Sequence, residues 1–217
     1  ITDTIAQIPA MYIADGHHRS ASAYKVARKR REEAKEYSGE EEFNYFLSIL
    51  YPDIELEILD YNRSVKDLNG LSKEEFIKRI EEKFEVFEGL ERVKPKEKHT
   101  FGMYLDKKWY LLKSKKGTFD KKDIIGSLDV SILQNNLLKE VLGIDDPRTS
   151  DRIEFIGGVR GLEELEKRLN EDMKVSFSMY PTTIDDIMKI SDCGKIMPPK
   201  STWFEPKPRS GIFIHKF

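Results

Sequence analysis

Apolar and polar positions follow two rhythms along this chain, and each change of rhythm marks an element. Met11 to Ala14 is a short apolar run that reads as a buried strand. From His17 to Glu36 the rhythm is helical, with Ala21, Tyr24, Val26, Ala27 and Ala34 on an approximate stripe. Ser38-Gly39 stops that helix. "EEEFNYFLSILY" begins helical and ends as an apolar run suited to a central strand. Leu56, Ile58 and Asp60 then alternate against polar neighbours, as a strand does. Ser72 with Glu75 forms a capping box, and Phe76, Ile77, Ile80 and Phe84 continue the helix it starts. Lys94 to Lys98, with Pro95, is a polar loop. Phe101, Met103 and Leu105 alternate, Asp106-Lys107-Lys108 turns, and Trp109 to Leu112 returns, which predicts a hairpin.

Ser127 or Asp129 can cap the next helix, which carries Val130, Leu133, Leu137, Leu138 and Val141 on one side and ends at Gly143. "RIEFIGGV" reads as a strand, "GLEELEKRL" as a helix and "VSFSMYP" as a strand closed by proline. "TTIDDIMKISDCG" reads as a helix capped by Thr182 or Thr183, and Ile212 to Ile214 as a final strand. Strands and helices alternate around one clear hairpin. The pattern predicts an α+β (mixed α/β) fold: a partly antiparallel mixed sheet with flanking helices, built as a single domain over residues 1–217.

Composition narrows the classes. With 39% hydrophobic residues the chain can bury a sizeable core, and 35% charged residues of both signs leave a net charge of -2. That balance does not suggest a nucleic-acid binder. No apolar run approaches the roughly 18 residues of a membrane span, so no membrane partner is expected. Cys193 is the single cysteine, which excludes an intrachain disulfide and a cysteine zinc cluster. A reduced, cytoplasmic setting fits. The opening "ITDTIAQIPAMYIADG" has no initiator methionine, basic leader or cleavage site, and it reads as mid-protein. The expectation is the C-terminal part of a longer chain, with the missing N-terminal part as a partner of the site.

The densest chemistry lies at Asp15-Gly16-His17-His18-Arg19, where a strand gives way to a helix. Gly16 permits a tight turn and a close backbone approach. The first N–H groups of a helix have no internal partner and its dipole is positive there, so the turn is suited to an anion. Arg19 adds a two-pronged donor for phosphate or carboxylate. His17 and His18 are adjacent, so at most one faces the same ligand as Arg19. Asp15 can cap the helix, bind a metal ion or accept a proton. The competing reading stays open: Asp15 caps, Arg19 pairs with an acid, and the histidines are partly buried hydrogen-bonders. Adjacent histidines do not share a zinc ion easily, and only His99 and His215 remain elsewhere. The following "ARKRREEAKE" reads as a solvated face with i,i+4 pairs such as Lys29 with Glu33.

Two later stretches add candidates. Arg148 and Arg152 flank Thr149-Ser150-Asp151, which suits an ion-pair network or a ligand site equally. Gly157-Gly158 reads first as a strand-to-helix turn. In "PPKSTWFEPKPRSG" the prolines pre-set an extended loop. There Lys200 and Arg209 are cationic, and Ser201, Thr202 and Ser210 are hydroxyl donors. Trp203 and Phe204 suit packing, and Glu205 is the loop's one carboxylate and a candidate general base. Cys193 has no histidine near it in sequence and reads as an incidental thiol.

"YIADGHHRSASAY", "DPRTSDRIEFIGG" and "MPPKSTWFEPKPRSGIFIHKF", in that order, resemble the domain-of-unknown-function 1015 family over essentially the whole chain. The chain resembles the C-terminal half or so of that family's length. More distantly, a strand, Asp-Gly-x-His-Arg and a helix resemble the phosphate-binding motif of the ParB and sulfiredoxin superfamily, which includes free serine kinases. Asp15, Gly16, His18 and Arg19 match that motif.

The resemblance implies a nucleotide-dependent enzyme that transfers a phosphoryl group to a small-molecule substrate. ATP or ADP would be the nucleotide, and magnesium would be held by Asp15 or Asp151. Gly16, His17 and Arg19 would hold phosphate together with Lys200 and Arg209, and His18, Asp15 and Glu205 are the candidate catalytic groups. Arg148, Asp151, Arg152, Ser201 and Thr202 are further candidates. No Gly-rich Walker loop occurs, so the P-loop class is excluded. The other class in view is a non-catalytic nucleotide- or DNA-binding regulatory module related to ParB.

Overall fold

The computed structural model describes residues 1–89, 91–209 and 211–216. Contacts divide the chain into two compact units. One comprises Ile1–Glu57 with the chain from Phe204 onward, the other Ile58–Trp203. Helices are α1 (Thr2–Ala6), α2 (His17–Glu33), α3 (Lys73–Ile80), α4 (Asp129–Leu133), α5 (Gly161–Glu171) and α6 (Ile184–Asp192). Strands are β1 (Glu57–Leu59), β2 (Tyr61–Val65), β3 (Phe84–Gly89), β4 (Thr100–Leu105), β5 (Lys108–Ser114), β6 (Ile153–Gly157), β7 (Val175–Met179) and β8 (Trp203–Glu205).

The unit 58–203 is built on a six-stranded sheet in the order β3-β5-β4-β7-β2-β6. Every neighbouring pair in it is antiparallel, so the antiparallel part of the expected sheet extends to all six strands. The α+β class is as the pattern predicts. The β4–β5 hairpin turns on two residues, Asp106 and Lys107, with φ of 50° and 61°. A two-residue turn that follows the strands' twist needs positive φ at both places. Central strands β4 and β7 are buried along their whole length.

On one face Phe101, Met103, Leu105, Val65, Val175 and Phe177 pack with Phe76 and Ile80 of α3 and with Ile132 and Leu133 of α4. On the other, Tyr104, Trp109 and Ile156 meet Leu165 of α5. The caps form as expected: Ser72 with Glu75 at α3, and Thr183 with Asp186 at α6. Phe84 leaves α3 and opens β3 instead. The expected helix from Asp129 to Val141 is α4 followed by a wider π-helical turn, Gln134–Lys139. Its N-cap is Leu128, and the Asp129 carboxylate instead accepts the N–H of His99 at 2.8 Å.

The other unit departs further from the pattern. Helix α2 forms, but it stops at Glu33, and Ala27 is its one buried residue. Tyr24 on the expected stripe is 65% exposed. Met11–Ala14 and residues 45–50 take no regular structure, and Met11, Ile13, Phe46 and Leu50 are about half exposed. A strand is held by neighbours that complete its hydrogen bonds. Among the described residues no strand pairs with either run. "EFN" at Glu42–Asn44 makes only a single 3-10 turn. The final strand expected at Ile212 to Ile214 does not form: Ile212 and Phe213 make a bend that runs into irregular chain at Ile214.

Candidate functional site

The turn before α2 is built around Gly16. It is the N-cap of a 17-residue helix and sits in the left-handed region with φ of 79°, which a side chain would strain. A glycine cap brings no side chain to the first-turn amides. The first backbone bond of the helix runs from the Ser20 N–H to the Gly16 carbonyl at 2.9 Å. The Arg19 guanidinium folds back over Gly16: a Cβ there would meet Arg19 Nη2 at 3.4 Å and Nε at 3.5 Å. Among the described residues no carboxylate forms an ion pair with Arg19, so the acid-paired alternative does not apply to it. His18 and Arg19, with Ser22, Ala23 and Val26 one and two turns on, line an open depression of about 430 Å³. His17 and His18 are both exposed.

Asp15 does not cap the helix. Its Oδ1 accepts the adjacent Gly16 N–H at 2.8 Å, and its Oδ2 receives Lys207 Nζ at 2.9 Å. Burial opposes charge on this carboxyl. The Lys207 and Gly16 hydrogen bonds and the charges of Lys207 and Arg19 outweigh that and hold it below the usual carboxylate range. Asp15 is therefore an ion-paired carboxylate, suited to placing positive charge rather than to taking a proton. Lys207 is the residue that reading the sequence missed. It stands between Pro206 and Pro208, and nothing in its local pattern separates it from Lys200 or Arg209. In the same unit, Glu205 accepts the Lys207 backbone N–H at 3.2 Å, and Arg209 is exposed.

The remaining candidates lie in the unit 58–203. Lys200 Nζ stands 3.5 Å from the Tyr61 hydroxyl and 5.6 Å from the centre of that ring. Ser201 is buried. Its hydroxyl donates to the Pro198 carbonyl, and its own carbonyl accepts the Thr182 hydroxyl at 3.1 Å. Thr202 is half-buried and Asp151 is exposed in a turn. Of the two readings of "RTSDR", the ion pairs form: Arg148 clamps Asp146 with bonds of 2.9 and 2.7 Å, and Arg152 binds Asp67. Gly157 and Gly158 do make the strand-to-helix junction, but neither has positive φ. What they provide is room, since a Cβ on Gly157 would stand 2.6 Å from the Trp203 ring and one on Gly158 would stand 2.4 Å from the Asp60 carboxylate. Ser210 lies outside the described residues. Cys193 is an exposed free thiol. Among the described residues no group of three His, Cys, Asp or Glu side chains gathers as a metal site, and no helix is long and apolar enough to cross a membrane.

A family model described as "Protein of unknown function (DUF1015)" matches residues 1–131, more than half of the chain, and the chain belongs to that family. The Asp15–Arg19 turn falls inside the matched segment, and the two later motifs fall beyond it. No curated protein matches the sequence.

Solved structures to which the chain is similar include a free serine kinase in complex with AMP, at 17% identity and a TM-score of 0.48. A mutant free serine kinase in complex with ADP is 20% identical, with a TM-score of 0.49. In both matches 91% of this chain and 70% of the other are covered. A conserved hypothetical protein from Pyrococcus furiosus is 18% identical, with a TM-score of 0.46, over 91% of this chain and 72% of that one.

Proposed function

We propose that the turn Asp15–Arg19 holds the phosphates of a nucleotide, ADP or ATP, and that the protein is a phosphoryl-transfer enzyme acting on a small metabolite. One observation carries this reading. An uncapped helix N-terminus and a guanidinium that forms no ion pair among the described residues converge over the same glycine. The bare amides and Arg19 offer donors and positive charge to phosphate oxygens, which need both as charge spreads over them in the transition state. His18, which lines the depression, would touch a phosphate or the acceptor. Asp15 keeps Lys207 beside the turn and so adds a second cation. Glu205 is the proposed base for the acceptor, and the exposed Arg209 a further cation for the phosphates.

The turn fits a phosphate better than a magnesium ion. The Asp15 carboxylate is held by Lys207, and among the described residues it belongs to no group of three potential metal ligands. The regulatory DNA-binding reading gains nothing from the basic run on α2. Arg28 and Lys29 pair with Glu32 and Glu33, and Arg31 donates to Asn44.

Calorimetric titration of the chain with ADP tests the proposal. Arg19→Ala is expected to weaken binding by about tenfold or more, the weight of a charge-assisted bidentate contact. ADP binding unchanged by that substitution would overturn it.

A further inference from the structure

A second cavity, of about 490 Å³, lies wholly within the unit 58–203. Arg63 and Phe155 form part of its wall, with Ser131 and Asn135 one helical turn apart, Pro198 and Arg148. It draws on Asp146-Pro147-Arg148 and Pro198-Pro199 of the two later motifs, segments that take no part in the proposed phosphate turn.

Arg63 is the unusual group. Strand β2 turns Tyr61, Arg63 and Val65 to the main core face, and Arg63 is 3% exposed. Its guanidinium lies 5.5 Å from the centre of the Phe155 ring. One nitrogen donates to the Tyr61 carbonyl and another to the Lys200 carbonyl at 3.1 Å. Among the described residues no carboxylate pairs with it. A buried charge without a counter-ion costs several kcal/mol, and two carbonyls and a ring face offset that only in part. Burial pulls the guanidinium down to about 10, so it stays charged at neutral pH.

The carboxylates around the same cavity are already engaged. Asp146 is clamped by Arg148, Asp123 accepts the Ile125 N–H at 3.0 Å, and Asp145 faces Lys139 at 3.8 Å. Among the described residues Arg63 is thus a buried charge of the cavity wall that no carboxylate pairs. Ser131 and Asn135 add polar groups whose side chains have no hydrogen-bond partner among the described residues, while Phe155, Val130 and Pro198 offer apolar surface.

We propose that this cavity binds a small organic anion through a carboxylate or phosphate group, with Arg63 as its buried counter-ion. The polar pair at Ser131 and Asn135 receives the rest of the head group, and the Phe155 side receives an apolar body. The volume suits a metabolite-sized ligand.

The test is amide-resolved NMR of the chain titrated separately with inorganic phosphate and with malonate. The site predicts saturable shifts at Ser131, Asn135 and Arg148 with at least one probe, and the probe that gives the tighter binding names the head group. Arg63→Gln should weaken that binding by about tenfold, and Arg19→Ala should leave it unchanged. Should Arg63→Gln fail to fold, Ser131→Ala and Asn135→Ala, which disturb no buried charge, should each weaken it several-fold. Absence of saturable shifts with both probes would overturn the proposal. So would shifts at these amides that survive all three substitutions, and Arg63 would then be only a strut for the proline loop.

Discussion

The two units of this protein are similarly rich in apolar residues and use them in opposite ways. In the unit 58–203, Phe76, Phe101 and Phe177 are fully buried and the two central strands have no exposed residue. In the other unit, helix α2 buries Ala27 alone, and the apolar runs at Met11–Ala14 and residues 45–50 stay half exposed. A hydrophobic rhythm becomes a buried element only where neighbouring elements take up its apolar face and its backbone hydrogen bonds. The contrast also separates two kinds of binding surface. The Asp15–Arg19 turn is open to solvent, whereas Arg63 is set into a packed wall.

Stability should divide along the same line. Phe177→Ala, deep in the sheet, should cost about 3–5 kcal/mol. Tyr24→Ala, on the exposed stripe of α2, should stay within about 0.5 kcal/mol. Denaturant unfolding of the two variants measures both, and equal losses would break the comparison.

Next in size is Asp129. Burial pushes its carboxyl up to about 7, against the pull of the His99 N–H and the Lys98 charge and with some help from Asp186. Its Oδ2 is buried without a hydrogen-bond partner among the described residues. The folded state therefore holds this proton more tightly than the unfolded chain does. Between the ordinary value of 3.8 and about 7 the folded state binds more protons, so stability falls as pH rises through that window. Above it the loss amounts to about 2–4 kcal/mol. Asp129→Asn should remove that slope and be the more stable protein at alkaline pH. Unfolding curves at several pH values check this, and a wild-type stability flat across the window would contradict it.

Gly157→Ala should cost about 1–3 kcal/mol, because its methyl would press into the Trp203 ring. The smallest effect concerns the turn. Lys207→Met should let the Asp15 carboxyl rise toward its ordinary range, since Lys207 supplies the leading interaction that lowers it. An NMR titration of the Asp15 side chain reads this directly.

Much of the packed unit was legible in advance. The Ser72-x-x-Glu75 box, the Asp106-Lys107-Lys108 turn, whose last residue the fold gives to β5, and the β4 alternation each state a local geometry that the fold largely keeps. Arg63 was not legible because strand β2 is buried on both faces: Asn62, Arg63, Ser64 and Val65 are each at most 3% exposed, so polar residues fill inward positions on either side. The alternation Leu56, Ile58, Asp60 marks one inward face and says nothing of a charge buried on the other. At the turn, the glycine cap and Arg19 could be read from residue types alone. The Asp15–Lys207 pair joins positions at opposite ends of the chain and becomes visible only in the fold.

The central claim is that phosphate oxygens sit on the bare first turn of α2. The most direct measurement is a crystal structure of the chain with ADP. The account predicts the diphosphate within hydrogen-bond distance of the amides of His17 to Arg19, with the Arg19 guanidinium against it. Diphosphate bound elsewhere, with Arg19 turned to a carboxylate, would contradict it.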